Sequence, residues 1–415
     1  MNGCVATSGN ARTPLTIRTA ERAELPAICR LFAAAFLGEV HDSSVERFDN
    51  VFEPDRFHLT FDGAELIGSA GVLSREMTFP GNMSRPVAGV TAVTVAPGHR
   101  RRGVLTGLMR TQLHGLHEAG AEPVAVLWAS EAGIYGRFGY GPAAQQCELA
   151  LPRGAAFHST VDLGEDRVRE VPREDAYPSL TKIFARVAPT RTGWLSRGES
   201  DWKIHFGDEP HHREGASSLR FALHSNGYVV YRAKENWTDR GPRNELLVQE
   251  LVAETPQAYA ALYRYLLDFD LVGEVKLTVA PDEPVVHLLT DPRAALRRNT
   301  DSLWVRLVDL DRALPQRTYS SGVDTVLEVT DEFCPWNAGR WRLTVDDSGS
   351  ARVSRTEDAA DLALGITELG AAFLGGTRLT TLAGAQRVRE YTPGAVAALS
   401  RSFAGDTEPH CPEVF

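Results

Sequence analysis

The chain has 415 residues, 43% of them hydrophobic and 24% charged, with a formal net charge of −10. That length holds two or three domains. The acidic balance speaks against a nucleic-acid partner, and no apolar run approaches the ~20 residues of a membrane-spanning helix, so no membrane partner is expected. Five scattered cysteines, Cys4, Cys29, Cys147, Cys334 and Cys411, form no Cys-x-x-Cys pair. They fit a reducing cytoplasm and give no support for a metal site. Residues 1–14 are polar and lack the apolar core of a signal peptide.

In chain order, residues 15–18 read as a short strand and residues 23–36 as a helix. Residues 57–61 and 66–72 alternate around Asp62-Gly63, a hairpin signal. Val93 and Val95 mark a strand that enters a Pro97-Gly98 turn, followed by His99, Arg100, Arg101, Arg102 and Gly103. The apolar spacing then becomes helical at Leu105, Leu108, Met109, Leu113 and Leu116. A strand that stops at a basic, glycine-containing turn and opens a helix suits a pyrophosphate. The first helical N–H groups lack intrahelical partners and carry the positive end of the dipole, and a glycine admits close approach. Residues 124–129 read as the next strand.

A second segment repeats the rhythm. Residues 219–224 and 228–232 flank Asn226-Gly227, residues 246–253 form an apolar strand, a helix runs from Pro256 to about Leu267, and residues 275–279 close as a strand. Glu254-Thr255-Pro256 stands where the first copy has its arginines, so the reading is a duplicated fold whose second copy has no phosphate loop. From about residue 301 the texture changes. Residues 303–310, 325–329 and 340–345 read as strands and residues 367–374 and 393–403 as helices, a compact α+β unit whose last residues, 409–415, have no periodicity.

Beyond the strand at 124–129 lies Ser130-Glu131-Ala132-Gly133-Ile134-Tyr135-Gly136-Arg137-Phe138-Gly139-Tyr140-Gly141-Pro142. Two phenols stand in this phrase, Tyr135 on the predicted helix and Tyr140, which is read as a packing aromatic ahead of the Gly141-Pro142 turn. The order Val-x-Val, Pro, Arg-x-x-Gly resembles the acetyl-CoA loop of GNAT N-acetyltransferases, although Gly103-Val104-Leu105 departs from the usual Gly-x-Gly or Gly-x-Ala. The tyrosine phrase, with His287-Leu288-Leu289-Thr290-Asp291, Leu303-Trp304-Val305-Arg306, Leu327-Glu328-Val329 and the terminal Phe415, is similar more narrowly to the Eis (enhanced intracellular survival) family, from near residue 15 to the end.

The resemblance implies an α/β (α+β) chain of tandem GNAT-like domains followed by a sterol-carrier-like α+β domain. The expected boundaries are 1–155 for the domain binding acetyl-CoA, 156–300 for a second copy without the cofactor loop, and 301–415 for the third. It implies acetyl-CoA contacts at Val93, Thr94, Val95, Arg100, Arg101, Arg102, Gly103, Val104, Leu105, Thr106, Ser130 and Glu131, with no metal. Tyr135 would be the general acid and the α-carboxylate of Phe415 the general base. Phe32, Phe36 and Leu37 would line an acceptor cleft in which Glu39 and Asp42 could hold an ammonium group, although helix-face phenylalanines are commonly core. His41 and His99 are read as surface residues, and Trp128 as packing.

The implied activity is N-acetyltransfer by a direct ternary complex onto a small polyamine, aminoglycosides with multiple acetylation among them, by a cytoplasmic homohexamer. Protein lysine or polyamine acetylation stays open, as does a non-catalytic lipid- or acyl-CoA-binding protein.

Overall fold

A computed structural model describes residues 15–415, so Cys4 and the polar N-terminal stretch lie outside the described residues. The chain divides into two units. One runs through Leu73 and takes in Val90–Gly115, and the other comprises Ser74–Gly89 and Leu116–Phe415. No helix among the described residues is long and apolar enough to cross a membrane.

In the first unit, β1 (Thr16–Thr19) pairs antiparallel with β2 (Phe57–Asp62), and β2 with the start of β3 (Glu65–Phe79). The hairpin between β2 and β3 closes at Gly63-Ala64, one residue later than the sequence suggests, with Gly63 left-handed at φ +62°. Helix α1 (Leu25–Phe36) starts at Leu25 with a proline in its first turn, where a missing N–H costs nothing, and a short 3-10 turn precedes it. Helix α2 (Asp42–Asp49) follows without a clear apolar stripe and was not expected. Strand β4 (Met83–Val95) leads through the arginine turn into α3 (Val104–Ala119). Val104 and Leu108, one helical turn apart, pack on Ile67 and Ala70 of β3, with Ile17, Val93 and Val95 around them.

In the second unit, β5 (Val124–Trp128) pairs in parallel with β4 at Ala88↔Ala125 and Gly89↔Val126. On its other side lies Leu303–Leu307, antiparallel from Leu303↔Trp128 to Leu307↔Val124, and this strand in turn pairs with Gly141–Pro142. Sheet pairing therefore joins residues on either side of the expected boundaries at 155 and 300. Leu303–Leu307, expected to open the third domain, lies in the first sheet. Gln145–Pro152, expected to close the first domain, lies in the second, between Leu296–Asp301 and Val272–Val279. The cause is burial: all five residues of Leu303–Leu307 are buried, and such a strand needs neighbours on both edges and cover on both faces.

The second sheet carries the repeat foreseen in the sequence. Arg220–His224 and Gly227–Lys234 form the hairpin, and Asn244–Ala253 and Val272–Val279 are parallel and joined by the helix Pro256–Leu267. Where the first copy opens its helix at a glycine, this one closes it: the Thr255 hydroxyl accepts the Ala258 N–H at 3.2 Å, with Pro256 as the first helical residue. Residues 156–218 contribute the helices Arg173–Val187 and Glu199–His205. Leu180, Ile183 and Phe184 pack on Phe221, Val230 and Val252.

The third region is a five-stranded sheet in the order Ala351–Arg355, Gly339–Val345, Val323–Thr330, Leu362–Gly365, Val388–Glu390, with the helices Ile366–Ala372 and Ala395–Phe403. Its Leu327, Leu343, Phe373 and Phe403 share one apolar core with Phe79, Val126 and Val305.

Candidate active site

The basic turn grows out of β4, where Ala92 takes φ +49° and interrupts the regular strand. Ser69 Oγ donates to the Ala92 carbonyl at 2.8 Å and lies 2.7 Å from Thr94 Oγ1. The Thr94 side chain is thereby used internally. After the 3-10 turn Pro97–His99, Arg101 is left-handed at φ +61° and Gly103 at φ +82°, a backbone of the kind that forms anion nests. The helix begins at once, since the Gly107 N–H donates to the Gly103 carbonyl at 2.9 Å.

A Cβ added at Gly103 would meet nothing within 4 Å, so space stands open at the positive end of a 16-residue helix. Arg100 and Arg101 are exposed, whereas Arg102 pairs with Asp62 at 2.8 Å. Val104 is buried in the core and can offer only its backbone, and Leu105 and Thr106 are half-buried. The donor set of positive dipole end, two outward arginines and an uncrowded glycine fits a pyrophosphate.

Tyr135 closes the one-turn helix Ala132–Tyr135 that follows the exposed Ser130 and Glu131. Its residue exposure is 5%. Burial raises the phenol above its ordinary value of 10.0; the nearby Ser130 hydroxyl opposes that and the Glu131 charge adds to it. Tyr140 meets Tyr135 edge-on at 6.1 Å and is fully buried. Among the described residues its hydroxyl has no hydrogen-bond partner, consistent with the packing role expected for it.

The turn between the two tyrosines is held from beneath. Gly139, at φ +85°, sits so close to Arg306 that a Cβ there would lie 2.3 Å from Nη1, and Arg306 is in turn paired with Asp331 at 2.6 Å. The third region touches the same turn. Thr367 Oγ1 donates to the Gly136 carbonyl at 3.2 Å, and a Cβ at Gly141 would stand 2.0 Å from the Thr367 carbonyl oxygen.

The terminal residues are ordered despite lacking periodicity. The Glu408 N–H donates to Asp282 Oδ2 at 2.9 Å and the His410 N–H to the Thr192 carbonyl at 3.0 Å. Trp128, read from sequence as packing only, donates its indole N–H to the Glu413 carbonyl at 2.6 Å. Arg197 binds the Glu413 carboxylate at 2.5 Å; no motif pointed to this arginine. Phe415 is half-buried against the shared core.

Of the expected acceptor residues, Phe32 and Phe36 stack at 4.3 Å and are 40% and 48% exposed, with Leu37 94% exposed beside them. They are therefore not core, and α1 ends in an uncovered apolar patch. Glu39 is exposed, and Asp42 is the first residue of α2, where the positive end of that helix favours a carboxylate.

Comparison with known proteins places this geometry among relatives. Residues 16–143 and 193–307 each match an acetyltransferase (GNAT) domain family, and residues 310–412 match a sterol carrier protein domain. An uncharacterized N-acetyltransferase of Streptomyces avermitilis is 42% identical over 387 residues, 91% of this chain and 94% of the relative. N-acetyltransferase Eis of Mycobacterium tuberculosis is 36% identical over 396 residues, 92% of this chain and 94% of the relative. The crystal structure of Eis1 from Mycobacterium abscessus superposes with a TM-score of 0.85 at 34% identity, covering 96% of this chain and all of that one.

Proposed function

Since the chain belongs to the Eis family of GNAT N-acetyltransferases and is an acetyltransferase of that type, we propose that it acetylates small polyamines, aminoglycosides among them, at more than one amine by direct transfer from acetyl-CoA within a ternary complex. The observation that carries this reading is Tyr135, a buried phenol on the strand-to-helix turn whose parent strand also holds the C-terminal tail through Trp128.

In the proposed reaction the Gly103 helix start, with Arg100 and Arg101, holds the pyrophosphate. The backbone of Val93, Thr94 and Val95 aligns the co-substrate, and Ser130 and Glu131 add contacts. Tyr135 gives its proton to the departing thiolate. The Phe415 α-carboxylate removes or orients the amine proton, a task that its low intrinsic basicity allows when the amine reaches it neutral.

Direct transfer is supported by the described cysteines. Cys29, Cys147, Cys334 and Cys411 are buried or half-buried and burial raises each thiol, that of Cys411 to about 12, so none is poised as a nucleophile. Phe32 and Phe36, with Glu39 and Asp42, suit a cationic acceptor that carries apolar rings, and the net charge of −10 favours its approach. We extend the proposal to a cytoplasmic homohexamer, which light scattering would check.

The test is thiol release from acetyl-CoA over aminoglycosides, polyamines, arylalkylamines and a lysine peptide, with mass spectrometry of each product. Several acetyl groups on one aminoglycoside support the reading. Turnover confined to the lysine peptide overturns the acceptor assignment.

A further inference from the structure

The second GNAT-like copy has no phosphate loop, yet it delivers one side chain to the C-terminal tail. We infer that Arg197 is a positioning residue for the terminal carboxylate, locking Glu413 so that the last two residues present Phe415 to the reaction; this rests on the base role proposed above for Phe415.

The Arg197 side chain is fully buried. Its Nη1 and Nη2 donate to Glu250 Oε1 and Oε2 at 3.1 and 2.5 Å, and its Nε donates to Glu413 Oε1 at 2.5 Å. The guanidinium is clamped between aromatic plates, 4.0 Å from the Phe184 ring and 4.7 Å from Trp202. Glu250 is fixed in its turn by the Tyr228 hydroxyl at 2.6 Å and by His205 Nε2 at 3.0 Å. A guanidinium paired bidentately with one carboxylate is already neutralised and oriented. Bringing a second carboxylate to the same buried cation costs desolvation that a purely structural pair would not need. The second carboxylate is the tail's.

Glu413 is held at both ends, because its carbonyl also accepts from the Trp128 indole N–H. Only Val414 and Phe415 remain beyond it, a reach of about 7 Å. Val414 is 73% exposed while Phe415 rests on the core, so the fixed point steers the last residue and not its neighbour. Trp128 ends the strand that leads into the one-turn helix of Tyr135, seven residues before it. The second domain thus secures the proposed base to the strand that carries the proposed acid.

The test uses Glu413→Ala, which leaves the Arg197–Glu250 pair intact, with Glu413→Gln as the conservative variant whose amide oxygen can still accept from Nε. With saturating acceptor, kcat of Glu413→Ala should fall at least tenfold with the KM for acetyl-CoA within twofold, and Glu413→Gln should recover most of the loss. One glycine appended after Phe415 should lower kcat by itself, and adding Glu413→Ala to that chain should lower it no further. A Glu413→Ala enzyme within twofold of the parent, or losses that multiply in the combined chain, overturns the inference. So does a fall in the unfolding midpoint that accounts for the lost turnover. Should the appended glycine alone leave kcat intact, the base role of Phe415 is what fails, and Arg197 positioning fails with it only if Glu413→Ala is also silent.

Discussion

Replacing Tyr135 with phenylalanine removes one oxygen from a buried ring and little else. The ring keeps its edge contact with Tyr140 at 6.1 Å, and a single hydroxyl contact is worth only about 1 kcal/mol. The fold and the acetyl-CoA affinity should therefore survive. The reaction should not. General-acid loss typically costs 10²–10⁴ in rate, about 2.7–5.5 kcal/mol of barrier.

The structure points to the lower end of that range. Burial holds the phenol above its ordinary value, which is already higher than a thiol's, so proton transfer to the thiolate runs uphill and solvent can compete. We expect turnover to fall about a hundredfold, read by thiol release at saturating acetyl-CoA, with cofactor affinity followed by calorimetry. The raised phenol also means that its acid form persists beyond neutral pH, so the parent enzyme should show no descending limb from this group until the pH passes the ordinary phenol range. Turnover of the variant within threefold of the parent would remove Tyr135 from the chemistry, and a parallel loss of affinity would make it a binding group.

Tyr140→Phe should do the opposite, because its hydroxyl is buried without a partner: unfolding midpoint unchanged or raised, turnover within threefold, and a drop in midpoint would contradict the assignment. Gly103→Ala meets no atom within 4 Å, so its folding cost is only the ~1–2 kcal/mol of a left-handed alanine. A methyl group at the helix start should nonetheless weaken coenzyme A binding about tenfold by calorimetry, and unchanged affinity would place the pyrophosphate elsewhere. His410 is buried and held neutral, its imidazole lowered to about 4 by burial first and the Arg191 charge second. The unfolded chain takes up that proton below pH ~6.5 and the folded one does not. Stability should therefore be complete above that pH and decline by about 2 kcal/mol on reaching pH 5. Urea unfolding of the parent against His410→Gln checks this, and an equal pH slope in both refutes it.

What was legible in the sequence is what a short window encodes. The change from period two to helical spacing between Val95 and Leu105, the Gly63 hairpin and the Pro256 helix start each declare themselves within a dozen residues. Leu303–Leu307 was readable as a strand but not as a neighbour of Val124–Trp128, because an apolar strand does not name its partner across an intervening domain. Residues 173–187 bury a regular face, but Pro178 inside the helix obscures the pattern. The site divides the same way. Arg101 and Gly103 announce a phosphate cradle locally. The roles of Tyr135 and Phe415 came from resemblance, and Arg197 came from neither, since its partners Glu250 and Glu413 lie far along the chain.

The strand Leu303–Leu307 also sets the order in which the molecule can be made. As the chain leaves the ribosome, Val124–Trp128 emerges with one edge of unpaired backbone N–H and C=O groups, and it waits through the whole second domain for its partner. A fragment ending near residue 143 would carry that edge exposed and should aggregate instead of behaving as a minimal enzyme. Any gene fusion or truncation that separates it from residues 303–307 removes a strand from its own sheet.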